Sequence, residues 1–209
     1  MQIQRNQVAG AFNPALPLPY ELRQADFGLA MQDVYDFFHD VNTTLLDKGL
    51  GRLEDILEKR KATLSGLLSD FLSASLARHS RALTENRWPN GHPDLIVRGR
   101  YPGDAVKAGE DGIEIKTTKN ANAAVDMHGA RDQWLCVFVY EIDNATEPAA
   151  NRRPLKFSAV YLAQVRTTDF RKNPRGELGT RTATLHREGI RMLRQQWVYR
   201  CLTGVTAPE

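Results

Sequence analysis

The hydrophobic pattern of this chain changes its period near residues 89–91, and this change constrains the fold more than any other feature. Before that point, apolar residues recur at steps of three and four, which is the spacing of one helix face. After it come DLIVRGR and GIEIKTTK, which are short, rich in Ile and Val, and bounded by glycine and proline, as strands are. The pattern predicts an α/β fold with a helical N-terminal part.

Two helical stretches are predicted in the N-terminal part. The first covers residues 26–47, where Lys48-Gly49 provides a stop. The second begins after Gly51 and runs to about Leu83, with a break near Thr63. Before both helices, NPALPLPYE holds three prolines in six positions, which prevent a helix and favour an extended arm lying on a surface or a partner.

The pattern after residues 89–91 predicts strands and two further helices. We expect ANAAVDMHGARDQW (121–134) to form a short helix, LCVFVYEID (135–143) a buried central strand, and LKFSAVYLAQVRTTDF (155–170) a partly buried strand. The following FRKNPRGELGTRTA is typical of turns. TLHREGIRMLRQQWVYR (184–200) is predicted to be a basic helix.

Composition excludes several classes of protein. With 209 residues, of which 42% are hydrophobic, the chain can bury a full core. No stretch approaches the roughly 18 apolar residues that span a bilayer, and MQIQRNQVAGAF lacks the layout of a secretion signal. We therefore expect a cytoplasmic protein without a membrane partner. Two cysteines, Cys136 and Cys201, are too few for a disulfide framework, and we expect both to be reduced.

The net charge of +3 is unevenly distributed. Residues 166–200 contain nine Lys or Arg and three acids, so this segment carries +6 and the rest of the chain −3. Such an excess suits a polyanionic partner, although charged helix faces are more often simply solvated.

Three charged residues lie on the two segments that open the strand-rich part. Asp94 begins DLIVRGR, and 19 residues separate it from Glu114 of GIEIKTTK. Because alternate side chains of a strand share a face, Glu114 and Lys116 project together while Ile113 and Ile115 point into the core. Asp94 joins them if the two strands pair.

Two carboxylates beside an ammonium form the set that phosphodiester hydrolysis needs. Hard oxygen ligands hold Mg²⁺, which activates a bound water and neutralises charge on the phosphate. Asp94 and Glu114 are the predicted ligands, the backbone carbonyl of Ile115 is a further one, and Mn²⁺ is expected to substitute. Lys116 would orient the attacking water or add positive charge in the transition state. The alternative is a surface Glu-Lys pair without a function.

Pro93-Asp94 and Glu114-Ile115-Lys116, in this order of elements, resemble the PD-(D/E)xK nuclease superfamily, whose best-known members are type II restriction endonucleases. The resemblance covers about residues 63–142. It implies a restriction-endonuclease-like core, in which helices flank a mixed central sheet, built from a helix, three antiparallel strands, a helix and another strand. It also implies Mg²⁺-dependent cleavage that leaves a 5′-phosphate.

On this resemblance we divide the chain at residue 63. Residues 1–62 are predicted to form an arm and a helical region that serves in dimerisation, and residues 63–209 a nuclease core with a basic C-terminal DNA-binding segment. Many members of the superfamily add an acid from the preceding helix. Glu54, Glu58 and Asp70 are the candidates here, and we favour Glu54 as a catalytic residue because it lies at the edge of the apolar stripe.

His92-Pro93-Asp94 also spells the HPD tripeptide of J-domain cochaperones. That tripeptide needs a loop between two helices, whereas Asp94 runs directly into LIVRG. We therefore interpret His92 as a turn residue or a neighbour of phosphate, and not as a metal ligand. The five histidines are scattered and show no zinc-finger spacing.

Two segments are predicted to bind DNA. The first follows the strand that carries Lys116, and its candidates are Lys119, Asn120, Asn122, His128 and Arg131. The two asparagines have an alternative role as caps of the predicted helix. The second is a glycine-containing loop suited to a groove of the duplex, although a solvated turn would look similar; its candidates are Arg171, Lys172, Arg175 and Arg181.

Three hypotheses follow from these patterns. The first is a Mg²⁺-dependent endonuclease of double-stranded DNA, a sequence-specific type II restriction enzyme acting as a homodimer. The second is a Holliday-junction resolvase or repair nuclease of the same fold. The third is a non-catalytic DNA-binding protein that retains the fold, which the intact Asp-Glu-Lys set disfavours.

Overall fold

The computed structural model describes residues 3–57, 60–127, 129–172 and 182–202. Within them the α-helices are α1 (Gln24–Asp47), α2 (Leu53–Leu57), α3 (Lys61–His79) and α4 (Arg187–Gln195). Single 3₁₀ turns cover Pro102–Asp104, Ala149–Asn151 and Thr167–Asp169. The strands are β1 (Gly10–Phe12), β2 (Leu83–Glu85), β3 (Leu95–Val97), β4 (Gly112–Thr118), β5 (Asp126–Met127), β6 (Gln133–Glu141), β7 (Lys156–Val165), β8 (Phe170–Lys172), β9 (Ala183–Leu185) and β10 (Trp197–Cys201).

The predicted α/β class is confirmed, because a mixed seven-stranded sheet of order β1-β10-β7-β6-β4-β3-β2 forms the centre of the protein. β2, β3 and β4 pair antiparallel, and β6 pairs parallel to β4. A smaller antiparallel sheet of order β5-β9-β8 lies beside it.

The predicted central strand, β6, is buried on both faces of the large sheet. Its side chains alternate between the faces. Cys136 and Phe138 pack in a cluster that residues of α1 and α3 complete. Leu135 and Val137 pack on the opposite face, in a cluster with Leu193 of α4 and residues of the small sheet. The sheet is thus covered by helices on one side and by α4 and the small sheet on the other. β7, which was predicted to be only partly buried, is buried along most of its length.

The first predicted helix is confirmed, and the second is only partly right. Two helices occupy this stretch: α2 ends at Leu57 and α3 begins at Lys61, close to the break predicted near Thr63, and α3 ends at His79 rather than at Leu83. Ser80 is extended, and its hydroxyl accepts a hydrogen bond from Leu83 N at 3.0 Å. Leu83 then pairs with Val97 of β3, so its burial comes from the sheet and not from the helix stripe.

The helix predicted over residues 121–134 is wrong. Its described residues form a turn at residues 121–122, the strand β5, which pairs with β9, and the start of β6. Ala123, Val125 and Met127 are buried while Asp126 is exposed, which is the period-two pattern of a strand. Asn120 shapes a turn instead of capping a helix, because its side-chain oxygen accepts from Asn122 N at 2.9 Å.

The C-terminal helix is shorter than predicted, and the arm joins the sheet. α4 ends at Gln195, and β10 follows it, with Val198 and Tyr199 buried. β1, within the proline-containing arm, pairs antiparallel with β10 and becomes the edge strand of the large sheet. Gly10 is required there, because a Cβ atom would collide with the carbonyl oxygen of Arg200.

Candidate active site

The strand pairing on which the position of Asp94 depends is present. Leu95 pairs with Ile113 in the antiparallel ladder of β3 and β4, and the next step of this register sets Asp94 opposite Glu114. Ile115 N donates a hydrogen bond to Asp94 Oδ2 at 2.8 Å, which fixes the carboxylate against β4. The structure therefore brings Asp94 together with the residues that strand alternation had already placed on one face.

Gly112, the first residue of β4, permits the close approach of β3. Its φ is +152°, and a Cβ atom at this position would collide with the carbonyl oxygen of Leu95. Its N–H donates to the hydroxyl oxygen of Tyr20 at 3.0 Å, so the N-terminal arm also contacts the start of the strand. Only glycine meets these steric requirements without strain.

Three oxygen-bearing groups surround the ammonium of Lys116. Lys116 Nζ donates to Glu114 Oε1 and, at 3.2 Å, to the carbonyl oxygen of Ile115. It also lies 3.9 Å from Asp94 Oδ2. The two predicted carboxylate ligands and the predicted carbonyl ligand thus converge on one cationic group.

His92 completes the contacts of Glu114, a role that the sequence interpretation missed. His92 Nδ1 lies 2.7 Å from Glu114 Oε2, and both side chains are almost fully buried. The contact has the length of an ion pair but not the directions of a hydrogen bond, so Glu114 Oε2 is buried with no hydrogen-bond partner among the described residues. The only sequence signal was the position of His92 directly before Pro93-Asp94.

The two carboxyl groups have opposite pKa shifts because their surroundings differ. Burial raises the pKa of Asp94, the nearby charge of Glu114 raises it further, and Lys116 offsets only part of this, so the pKa reaches about 6. Burial also acts to raise the pKa of Glu114. His92 and Lys116 outweigh it, and the Glu114 pKa lies below its ordinary value. The folded protein therefore favours the charged form of Glu114 and disfavours the charged form of Asp94.

These residues lie in an open cleft of about 1270 Å³ between α3, β4 and the segment that contains β5. Ser65, Ser69 and Asp70 of α3 line one side. Asp126 and Arg131 line the other, so the cleft contains both acidic groups and an exposed arginine.

The structure does not bring Glu54 into this cleft. Its carboxylate is buried elsewhere, where Asn42 Nδ2 donates to Oε2 at 2.7 Å and Arg52 lies 3.9 Å from Oε1. α2 and α3 are separate helices, so the apolar residues of the two do not form one continuous stripe. The position of Glu54 at the edge of that predicted stripe therefore does not place it beside α3. Asp70, the alternative acid, lines the cleft and is exposed. Glu58 lies outside the described residues.

The predicted DNA-binding residues occupy two places. Lys119, Asn120 and Asn122 lie in the exposed turn after β4, and Arg131 lines the cleft. Arg171 lies in β8 and lines a second groove. Lys172 is the last residue of β8, and its side chain is outside the described part, as are His128, Arg175 and Arg181.

The cleft residues fit a hard divalent cation of the Mg²⁺ type. Among the described residues, no three His, Cys, Asp or Glu side chains cluster as a complete metal site. Mg²⁺ needs no such cage, because it commonly takes one or two carboxylates and fills its remaining positions with water and substrate phosphate. Two carboxylates and a carbonyl oxygen already surround a cation here, the Lys116 ammonium.

No protein-family model matches this chain, and no curated protein matches it. In the part of the chain that the structure describes, no helix has the length and apolar character needed to cross a membrane.

Proposed function

We propose that this protein is a Mg²⁺-dependent endonuclease of double-stranded DNA with a PD-(D/E)xK site formed by Asp94, Glu114 and Lys116. One observation carries the proposal: the two carboxylates and the Ile115 carbonyl oxygen converge on the Lys116 ammonium. A divalent cation requires the same converging oxygens, and phosphodiester hydrolysis requires that cation next to a positive side chain.

The order of elements around the site supports the proposal. The helix (α3), the three antiparallel strands (β2, β3, β4) and a later strand (β6) come in the order that the resemblance implies. The chain departs from the implied pattern between β4 and β6, where an extended segment with β5 replaces the helix. Because this segment lines the cleft without contributing Asp94, Glu114 or Lys116, the departure leaves the proposed site intact.

In the proposed reaction, each residue of the site has a separate task. Asp94, Glu114 and the Ile115 carbonyl would hold Mg²⁺, which when bound would supply an activated water and charge neutralisation at the phosphate. Lys116 donates hydrogen bonds to the attacking water or to a phosphate oxygen as negative charge accumulates there. A bond would form between the water oxygen and phosphorus as the water loses a proton to solvent. The bond from phosphorus to the 3′ oxygen would break and that oxygen would take up a proton, which leaves a 5′-phosphate and a 3′-hydroxyl.

Within this proposal, a sequence-specific type II restriction enzyme acting as a homodimer is the first candidate, since two sites would cut the two strands of a palindrome. A Holliday-junction resolvase or a repair nuclease would use the same residues on a different DNA structure. A non-catalytic DNA-binding protein is the third candidate, and the complete Asp-Glu-Lys set argues against it.

The test compares wild type with Glu114→Ala and Lys116→Ala on plasmid, linear duplexes and four-way junctions, in Mg²⁺, Mn²⁺ and EDTA. Glu85→Ala and Lys48→Ala are matched controls, because both side chains are exposed and neither lines the cleft. We expect metal-dependent fragments from wild type and controls and none from the two site variants. Cleavage of junctions alone would identify a resolvase. DNA binding without cleavage by every protein would overturn the catalytic proposal.

A further inference from the structure

A second groove, of about 950 Å³, lies beside α4 and is lined by five arginines. They come from three elements: β8, α4 and β10. The residues are Arg171, Arg187, Arg191, Arg194 and Arg200. The sequence predicted a basic C-terminal DNA-binding segment that contains all five, and it named only Arg171 among them as an individual DNA-binding residue.

Three of the arginines form a row along α4. Arg187, Arg191 and Arg194 follow the i, i+4, i+7 spacing that sets side chains on one helix face. At 1.5 Å per residue the row is about 10 Å long, which is close to three base-pair steps of a DNA strand at 3.4 Å each. A row of arginines at this spacing on one helix face can contact successive phosphates of a DNA strand.

The groove has little negative charge of its own. Within the described residues, none of the five arginines makes an ion pair with a carboxylate, and no acid lines the groove. Glu188 of α4 is paired with His186, at 3.4 Å. Arg194 instead donates to Asn122 Oδ1 at 3.3 Å, and Arg200 packs its guanidinium over the Trp197 ring at 4.9 Å. Unneutralised guanidinium groups favour an anionic ligand, and their planar donors suit phosphate oxygens.

The groove and the active-site cleft share one segment of chain. Asn122 lines the groove, while Ala124, Val125 and Asp126 line the cleft. Arg131, on the far end of the same connection between β4 and β6, also lines the cleft. A DNA strand whose phosphates lie along the groove would therefore cross this segment before it enters the cleft.

We propose that the arginine groove binds the sugar-phosphate backbone of double-stranded DNA and guides one strand into the cleft. The proposal rests on the proposed nuclease function. Single-stranded ligands are usually held by base stacking on aromatic rings. Double-stranded DNA is favoured because no Phe, Tyr or Trp lines the described part of the groove, and the neighbouring Trp197 ring lies under the Arg200 guanidinium. The contacts are to phosphate, so they position the duplex without reading its sequence.

The test measures the salt dependence of binding. Arg187→Gln, Arg191→Gln and Arg194→Gln are combined, and binding to a 30-base-pair duplex is measured from low to moderate KCl in EDTA, where cleavage is blocked. Removing one arginine–phosphate interaction lowers the slope of log K against log salt by about 0.9, so the slope of the triple variant should be smaller by about 2 to 3. The change should be the same for unrelated duplex sequences.

The matched control is Arg5→Gln, Arg78→Gln and Arg153→Gln, which removes the same charge from exposed arginines that are paired with acids and line neither the cleft nor the arginine groove. It should keep the wild-type slope. Misfolding is checked by thermal unfolding, and we expect the groove variant to be at least as stable as wild type, because like charges at i, i+4 repel.

The outcomes separate this inference from the proposed function. If cleavage in Mg²⁺ occurs but the groove variant keeps the wild-type slope, the groove inference is overturned and the nuclease proposal stands. If no protein cleaves but the groove variant alone has a smaller slope, the groove inference stands and the catalytic proposal fails. A larger decrease in affinity for single-stranded DNA, RNA or poly-glutamate than for duplex DNA would overturn the assignment of the ligand.

Discussion

Replacing Asp94 with Asn should stabilise the metal-free protein at neutral pH. The pKa of the Asp94 carboxyl rises from 3.8 to about 6, which means that folding disfavours its charged form. At about 1.4 kcal/mol per pKa unit, the full shift corresponds to roughly 3 kcal/mol at pH 7–8. The side chain is 33% exposed, so solvent screening reduces the expected gain to about 1–2 kcal/mol. Asn keeps an oxygen that can accept from Ile115 N, so the local backbone contact survives.

The sign of the pH dependence provides the sharper test. Between pH 3.8 and about 6 the folded protein holds a proton on Asp94 that the unfolded chain has released, so this carboxyl lowers stability as pH rises through that window. The advantage of the Asn variant should therefore shrink as pH falls from 7 to 4. Urea unfolding of wild type and Asp94→Asn in EDTA at several pH values measures this difference in unfolding free energy.

Glu114→Gln provides the contrast within the same site. Because His92 and Lys116 favour the charged form of Glu114 and lower its pKa, the Gln variant should be less stable than wild type at pH 7. Adding Mg²⁺ should stabilise wild type and neither variant. If Asp94→Asn is less stable than wild type in EDTA at pH 7–8, or if its gain does not change between pH 7 and 4, the electrostatic reasoning is refuted.

Further predictions concern the fourth acid, the strand contact and the core. Asp70→Asn should reduce the Mg²⁺-dependent cleavage rate, whereas Glu54→Gln should keep the rate and lower the unfolding free energy by about 1–3 kcal/mol, through its buried contact with Asn42; the reverse pattern in a cleavage assay would restore Glu54 to the site. Gly112→Ala should lower both stability and cleavage, because its Cβ collides with the Leu95 carbonyl; unchanged urea unfolding would contradict this. Phe138→Ala should cost about 3–5 kcal/mol in the same unfolding assay, since the ring is fully buried, and a decrease under about 1 kcal/mol would refute its place in the core.

The parts of the fold that the sequence predicted are those with a strong single period. α1 keeps helical spacing over its length, and β4 and β6 are continuous apolar or alternating runs. The same alternation predicted that Glu114 and Lys116 share a face. The position of Asp94 needed one further fact, the pairing of β3 with β4, which depends on contacts between distant parts of the chain.

The errors in the predicted elements lie where the pattern of one element continues into residues that belong to the next. Leu83 continues the spacing of α3 but belongs to β2, and Trp197 follows a basic helix but begins β10. Small residues concealed the period of two in the segment around Ala123 and Val125, which was therefore predicted as a helix. In each case the segment is a strand because it is buried against a sheet, and the local sequence pattern contains no information about that burial.

His92 and Asp70 show why the candidate site was harder to predict than the strands that carry it. Neither residue has a spacing that relates it to Glu114, because one precedes β3 and the other lies on α3. They reach the cleft only after α3 packs on the large sheet and β3 pairs with β4. A cluster built from separate elements buries Asp94 beside a second carboxylate, and its burial and the nearby charge of Glu114 both raise its pKa. A bound cation would favour the charged form of Asp94, so the raised pKa of the metal-free site is consistent with the converging oxygens on which the proposed chemistry rests.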